Sequence, residues 1–326
     1  MNMRPPPANT TKFESATAAS LQRPLAHIAL AALFAGATAV AFSPVFMRLS
    51  ELGPTATAFW RPTLALPALW LWVLCDRSGL RRRPHRAVQY RALILAGLFF
   101  AGDLVFWHWS VRLTSVANAT LLANFAPIFV VLGAWLLFRD RVGVIFLAGL
   151  TVALAGTVLI VGASFAFRVE HLLGDLLGLI TAVFFAAYIL SVKRLRADFS
   201  VATIMAWSAS VTSLTLLPIA LLSGESLQPF TLHGWLLLAG LGLVSHAGGQ
   251  SLIAYALAHM PVQLSSLGLL LEPVMATLFA WSLLHESLGG LQALGGALVL
   301  GGIFIAQRQR PTASGGTSKR AASRAP

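Results

Sequence analysis

Three charged side chains lie more than five residues from either end of runs that are otherwise almost wholly apolar: Glu272 in the run 261–284, Arg61 in the run 54–75 and Asp103 in the run 91–111. Removal from water penalises the charged form of a carboxylate, so Glu272 is suited to binding a coupling proton or contacting a substrate. The alternative is a protonated or paired glutamate that braces its helix. Arg61 falls about seven residues and Asp103 about eight residues from one surface, roughly 10 to 12 Å deep at 1.5 Å per residue. An isolated charge at that depth is costly, so the matching depths predict a mutual ion pair. A gate on the extracytoplasmic side, or a contact to a substrate anion, is the alternative.

Weaker polar candidates surround these. Asn118 and Asn124 fall in the fourth apolar run, His108 and Trp109 in the third, Tyr188 in the sixth, and His246, Gln250 and Tyr255 in the eighth. Together they could line a central cavity with aromatic walls and a few directional groups. Hydrogen bonding between helices is the alternative for each, and Trp107 and Trp109 also suit interfacial anchors. His246 and Gln250 are four residues apart and share one helical face. Catalysis is not expected, because the chain has no His-Glu-x-x-His motif, no paired-aspartate metal motif, no Gly-x-Ser-x-Gly elbow and no Walker loop. The single Cys75 excludes an intrachain disulfide and a thiol metal cluster. No metal and no cofactor are therefore expected, and with no nucleotide-binding motif any uphill movement would have to draw on an ion or substrate gradient, with protons as the candidate coupling ion.

The elements that must hold these groups follow from composition. Hydrophobic residues make up 57% of the 326 and charged residues only 10%, with a mean hydropathy of +0.78. A soluble domain carries roughly 25% charged residues. Apolar runs near twenty residues, enough to cross about 30 Å of hydrocarbon as helix, recur at 27–47, 54–75, 91–111, 115–138, 142–163, 173–192, 199–222, 232–256, 261–284 and 288–307. Ten transmembrane helices are predicted, in an all-α integral membrane protein.

Residues 114–161 and 260–307 are one segment written twice, aligning without a gap at an offset of 146. Pro127 falls on Pro273, Trp135 on Trp281, Asp140 on Glu286, and Gly143, Gly149 and Gly156 on Gly289, Gly295 and Gly302. The offset divides the chain into five helices plus five, 25–165 and 170–308. A unit with an odd number of crossings leaves its successor upside down, so the repeats are inverted. Pro127 and Pro273 should bend the fourth and ninth helices, because each lacks the N–H that would bond the carbonyl of Ala123 or Leu269. Freed carbonyls must be covered by protein or face water, so both bends are expected to turn inward. They are either packing kinks or parts of a cavity or gate. Glu272, whose repeat mate is Ala126, breaks the symmetry beside one of them. The glycine pairs Gly149/Gly156 and Gly295/Gly302 allow close helix packing.

Charge supports the helix count. Of the 23 Lys and Arg, only Arg48, Arg112 and Arg168 fall on one side and Arg61 within a helix; the other nineteen share the opposite side. Basic residues collect in cytoplasmic loops, which puts both termini in the cytoplasm and the chain in the inner membrane. The net charge of +12 then needs no nucleic acid as a partner. The basic run from Asp76 to Arg91 anchors topology, with anionic lipid headgroups or RNA as alternative ligands. Residues 1–24 and 309–326 are expected to be disordered cytoplasmic tails. A cleaved signal peptide is the competing reading of the first run, though its loss would spoil the symmetry.

The chain resembles the drug/metabolite transporter superfamily, in its ten-helix EamA-type members, over about residues 27–307. The resemblance lies in the tandem five-helix plan, in Thr114-Ser115-Val116-Ala117-Asn118-Ala119 leading to Ala126-Pro127-Ile128-Phe129, in Leu271-Glu272-Pro273-Val274, and in Phe59-Trp60-Arg61. It implies a carrier of small metabolites, often outward, such as an amino acid or related compound. A scaffold or receptor that transports nothing is the second class, and it predicts no polar cavity between the repeats.

Overall fold

The structure, a computed structural model, describes residues 27–77, 83–114, 116–139, 142–162, 169–284 and 289–308. The two expected tails lie outside these residues. Among the described residues, ten helices are long and apolar enough to cross a membrane: α1 (His27–Leu49), α2 (Pro54–Cys75), α3 (Ala87–Leu113), α4, α5 (Val144–Gly162), α6 (Leu172–Leu195), α7 (Val201–Leu222), α8 (Leu232–His259), α9 and α10 (Gly290–Gln307). The fourth and ninth are each interrupted, into α4a (Val116–Ala123) and α4b (Ala126–Phe138), and α9a (Val262–Gly268) and α9b (Leu271–Leu284). Hydrocarbon offers no partner for a free N–H or C=O, so long apolar stretches must satisfy their backbone internally as helix. Leu74 is 72% exposed and Leu222 88%, as side chains facing lipid should be.

The first run is an integral helix of the bundle. A Cβ on its Gly36 would sit 2.8 Å from the carbonyl oxygen of Gly249 in α8, so the two backbones nearly touch.

The opposite orientation of the repeats can be read from four glycines. A Cβ on Gly149 would lie 2.6 Å from the Gly302 oxygen, and one on Gly295 would lie 2.6 Å from the Gly156 oxygen. Gly149 lies in the first half of α5 and Gly302 in the second half of α10, while Gly156 and Gly295 pair the other two halves, so the two helices cross antiparallel. Each contact is the image of the other under the 146-residue offset, which places the pseudo-twofold axis at this crossing. The rest of the bundle is also interleaved: α3 packs on α6 and α7, and α2 on α7 and α8. The largest core, with Phe100, Tyr188, Phe199, Ile204 and Met205, therefore draws on both repeats.

On the face where α1 meets α2, each repeat satisfies a helix start of the other. Gly53, before α2, has no capping side chain. Oε2 of Glu225, from the α7–α8 loop, accepts the Ala56 N–H at 2.8 Å instead, and Arg112 at the end of α3 approaches its Oε1 at 3.8 Å. Reciprocally, Glu51 from the α1–α2 loop accepts the Phe230 N–H at 2.7 Å and the Thr231 N–H at 3.2 Å, together with the Thr231 hydroxyl. Carboxylates are well placed at helix N-termini, where unbonded N–H groups and the positive end of the helix dipole lie.

The hydroxyl bond from Thr231, then the two N–H donors, hold the Glu51 carboxyl below the usual glutamate range. A carboxyl depressed on folding contributes while the pH exceeds its unfolded value, and the contribution is lost as the pH falls through the folded value. The tie to α8 should therefore loosen in acid. Hydrogen exchange at Phe230 and Thr231 is expected to lose protection as the pH drops below the glutamate range. In Glu51→Gln that change should vanish; if it persists, another group is responsible.

Candidate functional site

Arg61, Asp103 and Glu272 come from three different helices and meet at one internal cavity of about 130 Å³. Val40, Ser43, Pro44 and Met47 of α1, Phe100, Leu104 and Trp107 of α3, Thr120 and Ala123 of α4a, Asn124 of the turn that follows it, Thr181 and Phe185 of α6, and Gln250 of α8 complete its wall. Most of the lining comes from the end of α1, the start of α2, the end of α3 and the starts of α4a and α6. Chain connectivity puts all of these toward one membrane face, so the cavity lies between the bundle centre and the α1–α2 side.

Adjoining this cavity, with Ala123, Asn124, Phe185 and Glu272 common to both, the two helix breaks face each other. Ala123, Asn124, Ala126, Pro127 and Val130 meet Ser266, Leu269, Leu270 and Glu272 around a void of only about 20 Å³. Both bends do turn inward. Their form differs from a bent helix: the chain turns at Asn124–Phe125 and at Leu269–Leu270, and a new helix begins with the proline in its first turn. Proline is well suited there, since a first-turn N–H has no partner within the helix. The Leu269 carbonyl expected to be free accepts the Glu272 N–H at 2.9 Å.

This break changes the surroundings of Glu272. The residue is second in α9b, within the first turn, where the dipole of the half-helix favours a negative charge by roughly 0.3 to 1 kcal/mol. Like Asp103, it lines the cavity that Arg61 also faces.

Arg61 and Asp103 are not in the direct pair that their depth predicted. Both line the cavity, but no salt bridge within 4.0 Å joins them; among the described residues such a bridge links Arg112 and Glu225 instead. The Nε of Arg61 is buried without a hydrogen-bond partner among the described residues. Equal depth fixes position along the membrane normal, while separation across the bundle depends on how the helices are rotated. One cation and two carboxylates are thus presented to a shared space.

The other candidates divide. Asn124 lines the cavity, its amide donating to the Thr120 carbonyl at 2.8 Å. Gln250 lines it too, and its Oε1 lacks a partner among the described residues. His246 stands one layer behind, its ring centroid 5.3 Å from that of Phe100, with neither ring nitrogen hydrogen-bonded among the described residues. Both residues belong to a widened π-helical stretch, Leu241–Gln250, a form that recurs at functional sites. Tyr188 also backs Phe100, at 4.8 Å between centroids.

Three candidates lie elsewhere. Asn118 is fully buried and donates to Asp175 of α6 at 2.9 Å, in a tie that Thr114 joins at 2.7 Å. Trp109 is 51% exposed and faces outward, while Trp107, two positions earlier, lines the cavity. Tyr255 meets His259 in a tilted contact, 4.4 Å between ring centroids, near the far end of α8. Thr120, Thr181, Ser43 and Phe185 were not singled out by sequence. Small hydroxyls and Phe are common in membrane helices, so nothing in their local pattern marks them.

The family model described as EamA-like transporter family matches the chain twice, over residues 27–162 and 172–307. A pseudopaline exporter of Pseudomonas aeruginosa is 26% identical over 236 residues, covering 72% of this chain and 80% of the relative. A probable terminal-alkyne amino-acid exporter of Streptantibioticus cattleyicolor is 29% identical over 274 residues, 83% of this chain and 90% of its own length. A transporter of Archaeoglobus fulgidus, uncharacterized, is 26% identical over 263 residues, covering 79% and 89%. One solved crystal structure shares the fold with a TM-score of 0.74 at 23% identity, over 87% of this chain and 98% of the other.

Proposed function

This chain belongs to the EamA-like transporter family, and on that premise we propose that it is a secondary carrier exporting a small amino-acid-like metabolite across the inner membrane. The observation that carries the reading is a central cavity between the repeats bearing both signs of charge, Arg61 on one hand and Asp103 and Glu272 on the other. A zwitterion needs that arrangement. Its carboxylate would take the guanidinium, whose flat fork of donors matches two carboxylate oxygens, and its ammonium would take a carboxylate. The names of two relatives, a pseudopaline exporter and an amino-acid exporter, favour outward movement of a small molecule.

The cavity of about 130 Å³ is smaller than the roughly 300 Å³ at which drug-sized pockets begin. A substrate of modest size fits this, and so does an enclosure that widens when loaded. With nineteen basic residues on the opposite side, the α1–α2 face is extracytoplasmic and both termini are cytoplasmic. On this reading the cavity is displaced outward and the two helix breaks close the inner half. Rocking of the interleaved repeats about the α5–α10 crossing would move the opening from one side to the other. Glu272 is the candidate proton carrier. A scaffold without transport would have no use for a charged cavity at this depth, which is expensive to maintain in hydrocarbon.

The test is a resistance and efflux screen. Cells expressing the wild type are expected to survive toxic amino acids and their analogues better than cells expressing Glu272→Ala at equal protein level, and to expel the protective compound faster when preloaded. Equal survival and equal efflux across the whole panel would remove the reading.

A further inference from the structure

A second cavity, of about 580 Å³, opens at the opposite end of the bundle, between the end of α2, the segment before α3 and the start of α7. Trp70, Tyr90 and Trp207 form its walls, with Val73 and Leu74 beside them and Arg83, Pro84 and His85 across its mouth. It is separate from the central cavity and contains none of the groups assigned to transport. We propose that it binds the headgroup and upper acyl chain of an anionic phospholipid of the cytoplasmic leaflet. This rests on the inward orientation given above for that face.

The aromatic corner is held in place. Trp207 meets Trp70 at 6.1 Å and Tyr90 at 5.5 Å between centroids, both nearly edge-on, and Trp70 Nε1 donates to the Ser210 hydroxyl at 3.1 Å. One side of the pocket is continuous with the lipid-facing surface: Trp70 is 38% exposed, Tyr90 40% and Leu74 72%. An acyl chain can therefore enter sideways from the bilayer. The opening toward water is basic. Arg83 is exposed and has no ion-pair partner among the described residues, His85 is exposed beside it, and Arg77, Arg86 and Arg91 are exposed nearby.

The combination selects the occupant. Aromatic rings at headgroup depth contact the glycerol region and the first methylenes, as interfacial Trp and Tyr do. A guanidinium matches the oxygens of a phosphate in two-point contact. Basic residues next to a membrane helix attract anionic lipid by an amount equivalent to about fivefold in binding per charge. The chain's own C-terminal segment carries Arg310, Lys319, Arg320 and Arg324, so it would be repelled by Arg83.

Tryptophan fluorescence reads this directly, because Trp70 and Trp207 lie in the wall. The full-length protein is reconstituted in phosphatidylcholine vesicles containing a minor fraction of brominated phosphatidylglycerol or, separately, of brominated phosphatidylcholine. Brominated phosphatidylglycerol is expected to quench more strongly at equal content. The excess should shrink about fivefold in Arg83→Gln, shrink less in Arg83→Lys, which keeps the charge and loses the two-point contact, and fall in Trp70→Phe. Equal quenching by the two lipids in the wild type overturns the proposal, as does an excess unchanged in Arg83→Gln. If Arg83→Gln does not fold, the wild-type comparison and Trp70→Phe decide. Loss of the excess on adding soluble glycerol phosphate would also overturn the lipid assignment, in favour of a site for free phosphate esters. The readout does not depend on transport, so the lipid site stands or falls separately from the carrier reading.

Discussion

Glu272→Gln is expected to reach the membrane folded, to melt close to the wild type, and to lose between tenfold and a hundredfold of its efflux rate. The two parts of that expectation have different origins. Glutamine keeps the volume and the hydrogen-bonding edge of the side chain, and the backbone N–H of residue 272 continues to cover the Leu269 carbonyl. What is lost from stability is the favourable interaction of a charge with the start of α9b, roughly 0.3 to 1 kcal/mol. What is lost from function is a titratable carboxyl at the wall of the cavity that Arg61 shares. Hydrogen bonds to charged groups contribute about 1.5 to 3 kcal/mol, and each 1.4 kcal/mol is about tenfold in affinity.

Arg61→Gln should be harsher on the fold, because it leaves Asp103 and Glu272 facing each other without the cation between them. Removing one member of a buried charge set costs about 3 to 5 kcal/mol. Parallel measurement of melting temperature and efflux for both variants separates bracing from transport. A Glu272→Gln protein with normal efflux would sink the assignment of this residue to substrate or proton. A protein destabilised in proportion to its lost activity would assign it to bracing.

The second large effect concerns the crossing of α5 and α10. Gly149→Val and Gly295→Val are expected to abolish folding to nearly the same degree, although the residues stand 146 positions apart. Each new Cβ would lie 2.6 Å from a carbonyl oxygen of the facing helix, Gly302 in one case and Gly156 in the other. Backbone oxygens cannot swing aside as a side-chain tip can, so the helices must separate. Overpacking costs about 1 to 3 kcal/mol where a core can yield, and a forced separation also removes contacts along the rest of the crossing. Gly301→Val is the control, since a Cβ there meets nothing within 4 Å. The yield of monodisperse protein in detergent, and its melting temperature, measure all three. A marked difference between the first two variants would contradict a twofold axis through the crossing.

Much of the architecture was legible from one sequence because it follows from averages along the chain. Hydropathy over twenty residues reports the solvent of a segment, and all ten runs became helices. A gapless repeat with an odd helix count requires inversion, and the glycines meet as that requires. Proline positions located both breaks to within three residues, and a lone glutamate at mid-membrane marked a cavity wall.

Sequence therefore determined the depth of each residue, the number and sense of the helices, and which groups are costly to bury. Only the tertiary structure decided which of those groups meet. Depth comes from counting along one helix, at a fixed rise per residue. Rotation about the helix axis comes from contact with other helices, in this bundle mostly those of the other repeat. Trp107 and Trp109 are two residues apart, yet one faces the cavity and the other faces outward. Asn118 went to Asp175 rather than to the cavity, and Arg61 and Asp103 share a space without a salt bridge between them. Glu51 and Glu225 act on helix starts that lie 179 and 169 positions away in the chain. No local pattern encodes such partners; they are set when ridges and small residues of ten helices find a common packing.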